Sequence, residues 1–163
     1  MAAVSRRPRR AKSGHTDAEA VPSQPIDIDF LDRIIGYSLR RAQAAVYADY
    51  ARTVGGLGVR PAQFAALVII NANPGLTQSA LAACMGIDRS AAVGLIDFLE
   101  NGGWVARVPS PTDRRSYSIM ITVPGQEMLE RLKALVADSD ARLTSRLSDQ
   151  EREVLLDLLR RLY

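Results

Sequence analysis

Cysteine and histidine occur once each in the 163 residues of this chain, and that scarcity closes off most catalytic and metal chemistry. Cys84 alone allows no intrachain disulfide. His15 stands in an N-terminal stretch without periodic pattern, so no Ser-His or Cys-His pair and no metal set can be built around it. There is no glycine-rich phosphate loop and no H-E-x-x-H. Acidic residues are plentiful, but carboxylates without further support read as surface charge. No enzyme activity, cofactor or metal is expected. Long apolar runs are missing too. Phe64 to Ile70 is the longest, far short of the ~20 residues of a membrane span. The basic N-terminus has no apolar segment after it, so Arg6-Arg7 and Arg9-Arg10 do not make a secretory or twin-arginine signal. A cytoplasmic location with no membrane partner is the expectation. Aromatics are only 6% of residues, so a core drawn from the 47% hydrophobic content must rest on Leu, Val, Ile and Ala.

What charge there is sits unevenly. Residues 1–25 contain five basic and two acidic side chains, which accounts for the whole net charge of +3. The rest of the chain is neutral overall, so any nucleic-acid binding by it must come from local placement of arginines. Arginine far outnumbers lysine. That bias suits bidentate phosphate contacts, but a GC-rich genome gives the same usage and is the weightier explanation. Rich in Arg, Ala, Ser and Pro, residues 1–25 read as a disordered basic tail.

The remaining chain divides into a helix and linker (26–60), a central lobe (61–123) and two closing helices (124–163). Asp27 or Asp29 can start a helix running to about Val54, with Leu31, Ile34, Ile35, Leu39, Ala42, Ala45 and Val46 on one stripe. Gly55-Gly56 and Gly58 break it. Pro61 suits the first position of the next helix, which Asn73-Pro74-Gly75 ends. Pro124 opens a long helix, and Ser148 with Glu151 forms a capping box before the last.

The segment from Leu76 to Arg107 is the most telling. Thr77 is an N-cap, and a short helix runs from it to about Met85. Gly86 supplies the positive φ of the turn. Asp88 caps a second helix with Ala92, Ile96 and Leu99 on its inner face. Short helix, glycine turn and second helix make a helix-turn-helix, which presents its second helix to a major groove. Asn101-Gly102-Gly103 closes it, and a strand begins at Trp104-Val105. Ser116 to Thr122 alternates as a half-buried strand. Between the strands, Pro109, Pro111 and Asp113 favour a turn, which sets Arg114 and Arg115 at a projecting hairpin tip suited to a phosphate backbone or minor groove. The fold class is mainly α (α+β), a winged helix-turn-helix.

The order helix-turn-helix, G-W-V-A-R, S-P-T-D-R-R, I-T-V-P-G resembles the MarR family of bacterial transcriptional regulators, over roughly residues 27 to 163. The resemblance implies a two-fold homodimer with intertwined terminal helices on a palindromic double-stranded DNA operator. The residues expected toward DNA are Arg89, Ser90, Ala91, Val93 and Gly94 of the second helix, Thr77 and Ser79 at the start of the first, and Arg114 and Arg115. Val93 and Gly94 depart from the family, where polar or basic residues are common. Asp113 orients Arg115, and Arg107 on the opposing strand is another partner for such a bond. Family members often bind small aromatic anions, and Tyr37, Arg41 and Ala44 share one flank of the first helix as a candidate effector pocket; an ordinary amphipathic edge is the plainer explanation. Cys84 is expected to be a semi-buried hydrophobe. The function implied is that of a sequence-specific regulator, a repressor relieved by an aromatic or phenolic effector. The alternative is a winged-helix protein–protein module that has lost sequence-specific DNA binding.

Overall fold

The structure, a computed structural model, describes residues 26–109 and 117–163. The tail with His15, and Asp113, Arg114 and Arg115 of the hairpin tip, lie outside the described residues. Among the described residues six α-helices follow one another: α1 (Ile35–Val54), α2 (Pro61–Ala72), α3 (Gln78–Met85), α4 (Arg89–Asn101), α5 (Val123–Leu143) and α6 (Asp149–Arg160). Three strands, β1 (Leu76–Thr77), β2 (Val105–Pro109) and β3 (Tyr117–Ile121), form one antiparallel sheet in the order β1-β3-β2. This is the mainly α winged helix-turn-helix expected from the sequence. Among the described residues no single helix is long and apolar enough to cross a membrane.

The first helix starts later than expected. Asp29 to Arg33 form a separate 3-10 turn. Asp27 Oδ1 accepts the Asp29 N–H at 2.9 Å, and Asp29 takes a positive φ of 44°, which α-helix does not allow. Ile34 is extended, and α1 begins only at Ile35. At its far end α1 stops as predicted. Gly55–Leu57 form a 3-10 turn and Gly58 carries the positive φ of 68° that reverses the chain into α2.

A continuous core fills the space between α2, α3, α4, the sheet and α5. Leu67 and Ile70 from α2, Leu81 from α3, Ile96 and Leu99 from α4, Ile119 from β3 and Leu129 and Leu132 from α5 are all buried. The outer helices differ. Of α1 only Asp49, Tyr50 and Val54 are buried, and of α6 no residue is. Ile35, Leu39 and Val46 on α1 and Val154, Leu155, Leu158 and Leu162 towards the C-terminus are exposed. The predicted apolar stripes exist, and no part of the described chain covers them.

What this chain does join is α1 to α5, through a polar clamp. The carboxylate of Asp49, buried, accepts the Ser139 hydroxyl at 2.5 Å, one Arg142 N–H at 3.1 Å and one Arg52 N–H at 2.5 Å. Arg142 also donates to Thr53 Oγ1 at 2.7 Å. The Ser139 bond, then the two guanidiniums, outweigh the effect of burial and bring the carboxyl down to about 2.

Candidate nucleic-acid interface

Each end of the helix-turn-helix is fixed by the residue expected to fix it. Thr77 Oγ1 accepts the Ala80 N–H at 3.2 Å, and Gly86 ends α3 in the left-handed region at φ 62°. The Ile87 N–H reaches back to Ala82 O at 3.1 Å. Asp88 Oδ1 accepts the Ala91 N–H at 2.8 Å and so starts α4. With Ala92, Ile96 and Leu99 buried, the opposite side of α4 is turned outward. Arg89, Ser90, Ala91, Val93 and Gly94 are all exposed, as are Thr77 and Ser79 at the start of α3. The seven positions lie on two elements that share one core, and no other part of the described chain covers them.

Two features temper the chemistry of that face. Ser90 Oγ donates to Asp88 Oδ1 at 2.6 Å. That bond, with the Ala91 N–H, lowers the Asp88 pKa. Gly94 is bare, and a Cβ placed there would meet nothing within 4 Å.

The wing is braced from an unexpected side. Arg107, on β2, donates to Asp97 at 2.5 Å and to Glu100, and its own backbone N–H donates to Glu100 Oε1 at 3.0 Å. Burial disfavours its charge, and the two carboxylates more than offset that, so its pKa is raised. Arg107 thus fastens the root of the wing to α4. Asp97 and Glu100 escaped sequence reasoning; their spacing of three on a helix was the available signal. At the other end of the hairpin, the Thr122 hydroxyl donates to Gly103 O at 2.6 Å and accepts the Gly125 N–H at 3.0 Å. Thr122 therefore caps α5, which starts at Val123, one residue before Pro124. Gly125 packs on the Trp104 backbone, where a Cβ would stand 1.9 Å from Trp104 O.

β1 is a further element that sequence reasoning missed. Leu76 pairs with Ile119 and Thr77 with Ser118, so the residue that caps α3 also belongs to the sheet of the wing. Cys84 is exposed rather than semi-buried.

The candidate effector residues lie on the first half of α1. Tyr37 is half-buried with the Arg40 guanidinium 5.2 Å from its ring centroid, and Arg41 and Ala44 are exposed. A cavity of about 610 Å³ opens farther along, where α1 turns into α2. Tyr47, Tyr50, Gly55, Val59, Arg60 and Pro61 are among its walls, and Tyr37, Arg41 and Ala44 are not. The Tyr50 hydroxyl is buried without a hydrogen-bond partner among the described residues. Burial pushes its pKa up to about 12, so it stays a neutral donor.

Comparison with known proteins places this geometry. The sequence profile of the MarR family matches residues 57–116. A transcriptional regulatory protein assigned to the hcr operon of Thauera aromatica is 45% identical over 79% of this chain and 78% of its own length. The transcriptional repressor CouR bound to a 23-mer DNA duplex superposes with a TM-score of 0.81 at 38% identity, over 85% of this chain and 99% of that one. CouR from Rhodococcus jostii RHA1, bound to p-coumaroyl-CoA, has a TM-score of 0.74 at 30% identity, over 82% and 94%. With its helix-turn-helix, its wing and its flanking helices in the same order as these relatives, the chain belongs to the MarR family of transcriptional regulators.

Proposed function

We propose that this protein is a dimeric, sequence-specific DNA-binding repressor whose hold on a palindromic operator is released by a small aromatic or phenolic effector. The outward face of α4, from Arg89 to Gly94, carries this reading. It is uncovered, it is rigidly capped, and it belongs to a lobe like that of CouR on DNA. Arg114 and Arg115 act at the wing tip, on the phosphate backbone or in the minor groove. The exposed leucines of α6, with the apolar side of α1, support a second copy as their cover.

The effector reading rests on the cavity at the α1–α2 turn. CouR binds p-coumaroyl-CoA, whose acyl group is phenolic. A ligand of that kind would place its ring between Tyr47 and Pro61 and offer an oxygen to the Tyr50 hydroxyl, unpaired among the described residues, with Arg60 beside its anionic part. The flank of Tyr37, Arg41 and Ala44 is the other location; it does not line this cavity and has no unpaired buried hydroxyl among the described residues.

Fluorescence anisotropy with the full-length protein tests the proposal. The probes are duplexes from the DNA flanking its own gene and scrambled duplexes of equal composition. Preference for one flanking duplex, reversed by p-coumaroyl-CoA or a simple phenolic acid, is the expected result. Equal binding to all duplexes would favour the protein–protein module instead.

A further inference from the structure

We infer that Val93 reads the 5-methyl group of a thymine in each operator half-site, and that the bare backbone at Gly94 lets it reach that group. The inference rests on the DNA-binding reading above and extends it to what the operator must contain.

On the outward face of α4 few polar groups remain free for a base. Ser90 has committed its only proton to Asp88 Oδ1 at 2.6 Å, and that same oxygen holds the Ala91 N–H. What Ser90 has left for a base is acceptor capacity. One turn beyond Val93, the Asp97 carboxylate is engaged by Arg107. Arg89 remains as the one long polar side chain of the first two turns. Beside it stand Ala91, which ends at Cβ, Val93, 38% exposed and the longest apolar side chain of the five, and Gly94, with nothing within 4 Å of where a Cβ would be. An apolar side chain with open space next to it is what this helix presents beside Arg89.

The edges of base pairs in the major groove present hydrogen-bond donors and acceptors, with one apolar exception, the methyl group of thymine. Val93 has no polar atom. Pressed against cytosine it would desolvate the N4 amine without replacing its hydrogen bond, which is unfavourable. Pressed against thymine it meets a methyl. Gly94 matters because a side chain at that position would hold the helix axis farther from the base edges. Without one, a residue as short as valine reaches them.

The test begins with duplexes of 23 base pairs selected from a random pool by the full-length protein. Each thymine of the selected duplex is then replaced singly by deoxyuridine, which removes the methyl and nothing else. One symmetry-related thymine per half-site should respond. Its replacement should weaken binding about fourfold per half-site, the effect of one methyl lost from contact at roughly 0.8 kcal/mol. Val93→Ala should bind the thymine and uracil duplexes alike. If affinity stays uniform across the uracil scan while the selected duplex is still preferred over a scrambled one, the inference is wrong and the repressor reading stands. A uracil effect that persists in Val93→Ala overturns the role of Val93. A pool that yields no preferred sequence overturns both.

Discussion

Replacing Gly125 by alanine should destabilise the protein more than any other single methyl added to its described glycines. The added Cβ would stand 1.9 Å from Trp104 O, 2.8 Å from Trp104 C and 2.9 Å from Ile121 Cγ1, against ordinary contact from 3.4 Å. Two of those three atoms are backbone and cannot swing aside. The start of α5 must then draw back from the Trp104 peptide by more than an ångström. Overpacking of this kind costs roughly 1–3 kcal/mol. The same movement strains two hydrogen bonds, from the Thr122 N–H to Trp104 O at 3.0 Å and from the Thr122 hydroxyl to Gly103 O at 2.6 Å. Each contributes about 1 kcal/mol. Alanine regains up to about 1 kcal/mol of helix propensity, less in a first turn. The net loss is about 2–4 kcal/mol, which for a chain of this size lowers Tm by roughly 5–15 °C. Thermal unfolding measures it, at one fixed protein concentration because the dimer proposed above would make Tm depend on concentration. A Tm equal to or above that of the parent protein would refute the reasoning.

The remaining predictions concern separate parts of the molecule. Gly94→Ala should raise Tm slightly, by the roughly 0.5–1 kcal/mol that glycine costs inside a helix, because nothing lies within 4 Å of the new methyl; a fall would mean that the site is less open than described. Asp49 has its folded pKa lowered from 3.8 to about 2, so its contribution to stability is present above about pH 4 and is lost as pH falls towards 2. Asp49→Asn should therefore flatten the acid limb of a stability-against-pH curve in that window and leave its shape near neutrality unchanged. Leu155→Asp with Leu158→Asp, both at exposed positions of α6, should give a species of single-chain mass by light scattering, whereas an unaltered dimer would remove α6 from the interface. Arg114→Ala with Arg115→Ala should weaken operator binding and lower the log–log salt slope by about 0.9 per lost phosphate contact; unchanged affinity would take the wing tip out of the binding surface.

How far the sequence revealed this architecture depended on the range of each interaction. Thr77, Asp88 and Ser148 cap helices three residues away, Gly86 needs only its own φ, and all were readable because nothing distant decides them. The strand around Ile119 was legible as well, but its half-buried alternation does not hold, since the neighbours Ser118 and Ile119 are both buried. Contacts between remote residues were not readable. Asp49 carries no local sign that Ser139 and Arg142, most of the chain away, will complete its clamp. Arg107 looked like a partner for the wing tip, and its carboxylates stand on α4. The start of the first helix was misplaced because Asp27 can cap a helix or close a turn with equal chemistry, and it closes a turn. Gly125 was visible only as part of a motif. Its reason, a carbonyl pressed against the helix start, is a tertiary fact.

The short pairing of Leu76–Thr77 with Ser118–Ile119 has a consequence for the order of synthesis. A growing chain that has just released Asn101 from the ribosome holds both helices of the reading motif in full. It lacks β3, which pairs with the strand at the head of α3, and it lacks Leu129 and Leu132, which close the core beneath. The motif is therefore complete as a sequence well before it is stable as a shape. A nascent fragment of this length should be unable to compete with finished protein for operator sites, and the appearance of binding competence should coincide with the emergence of α5.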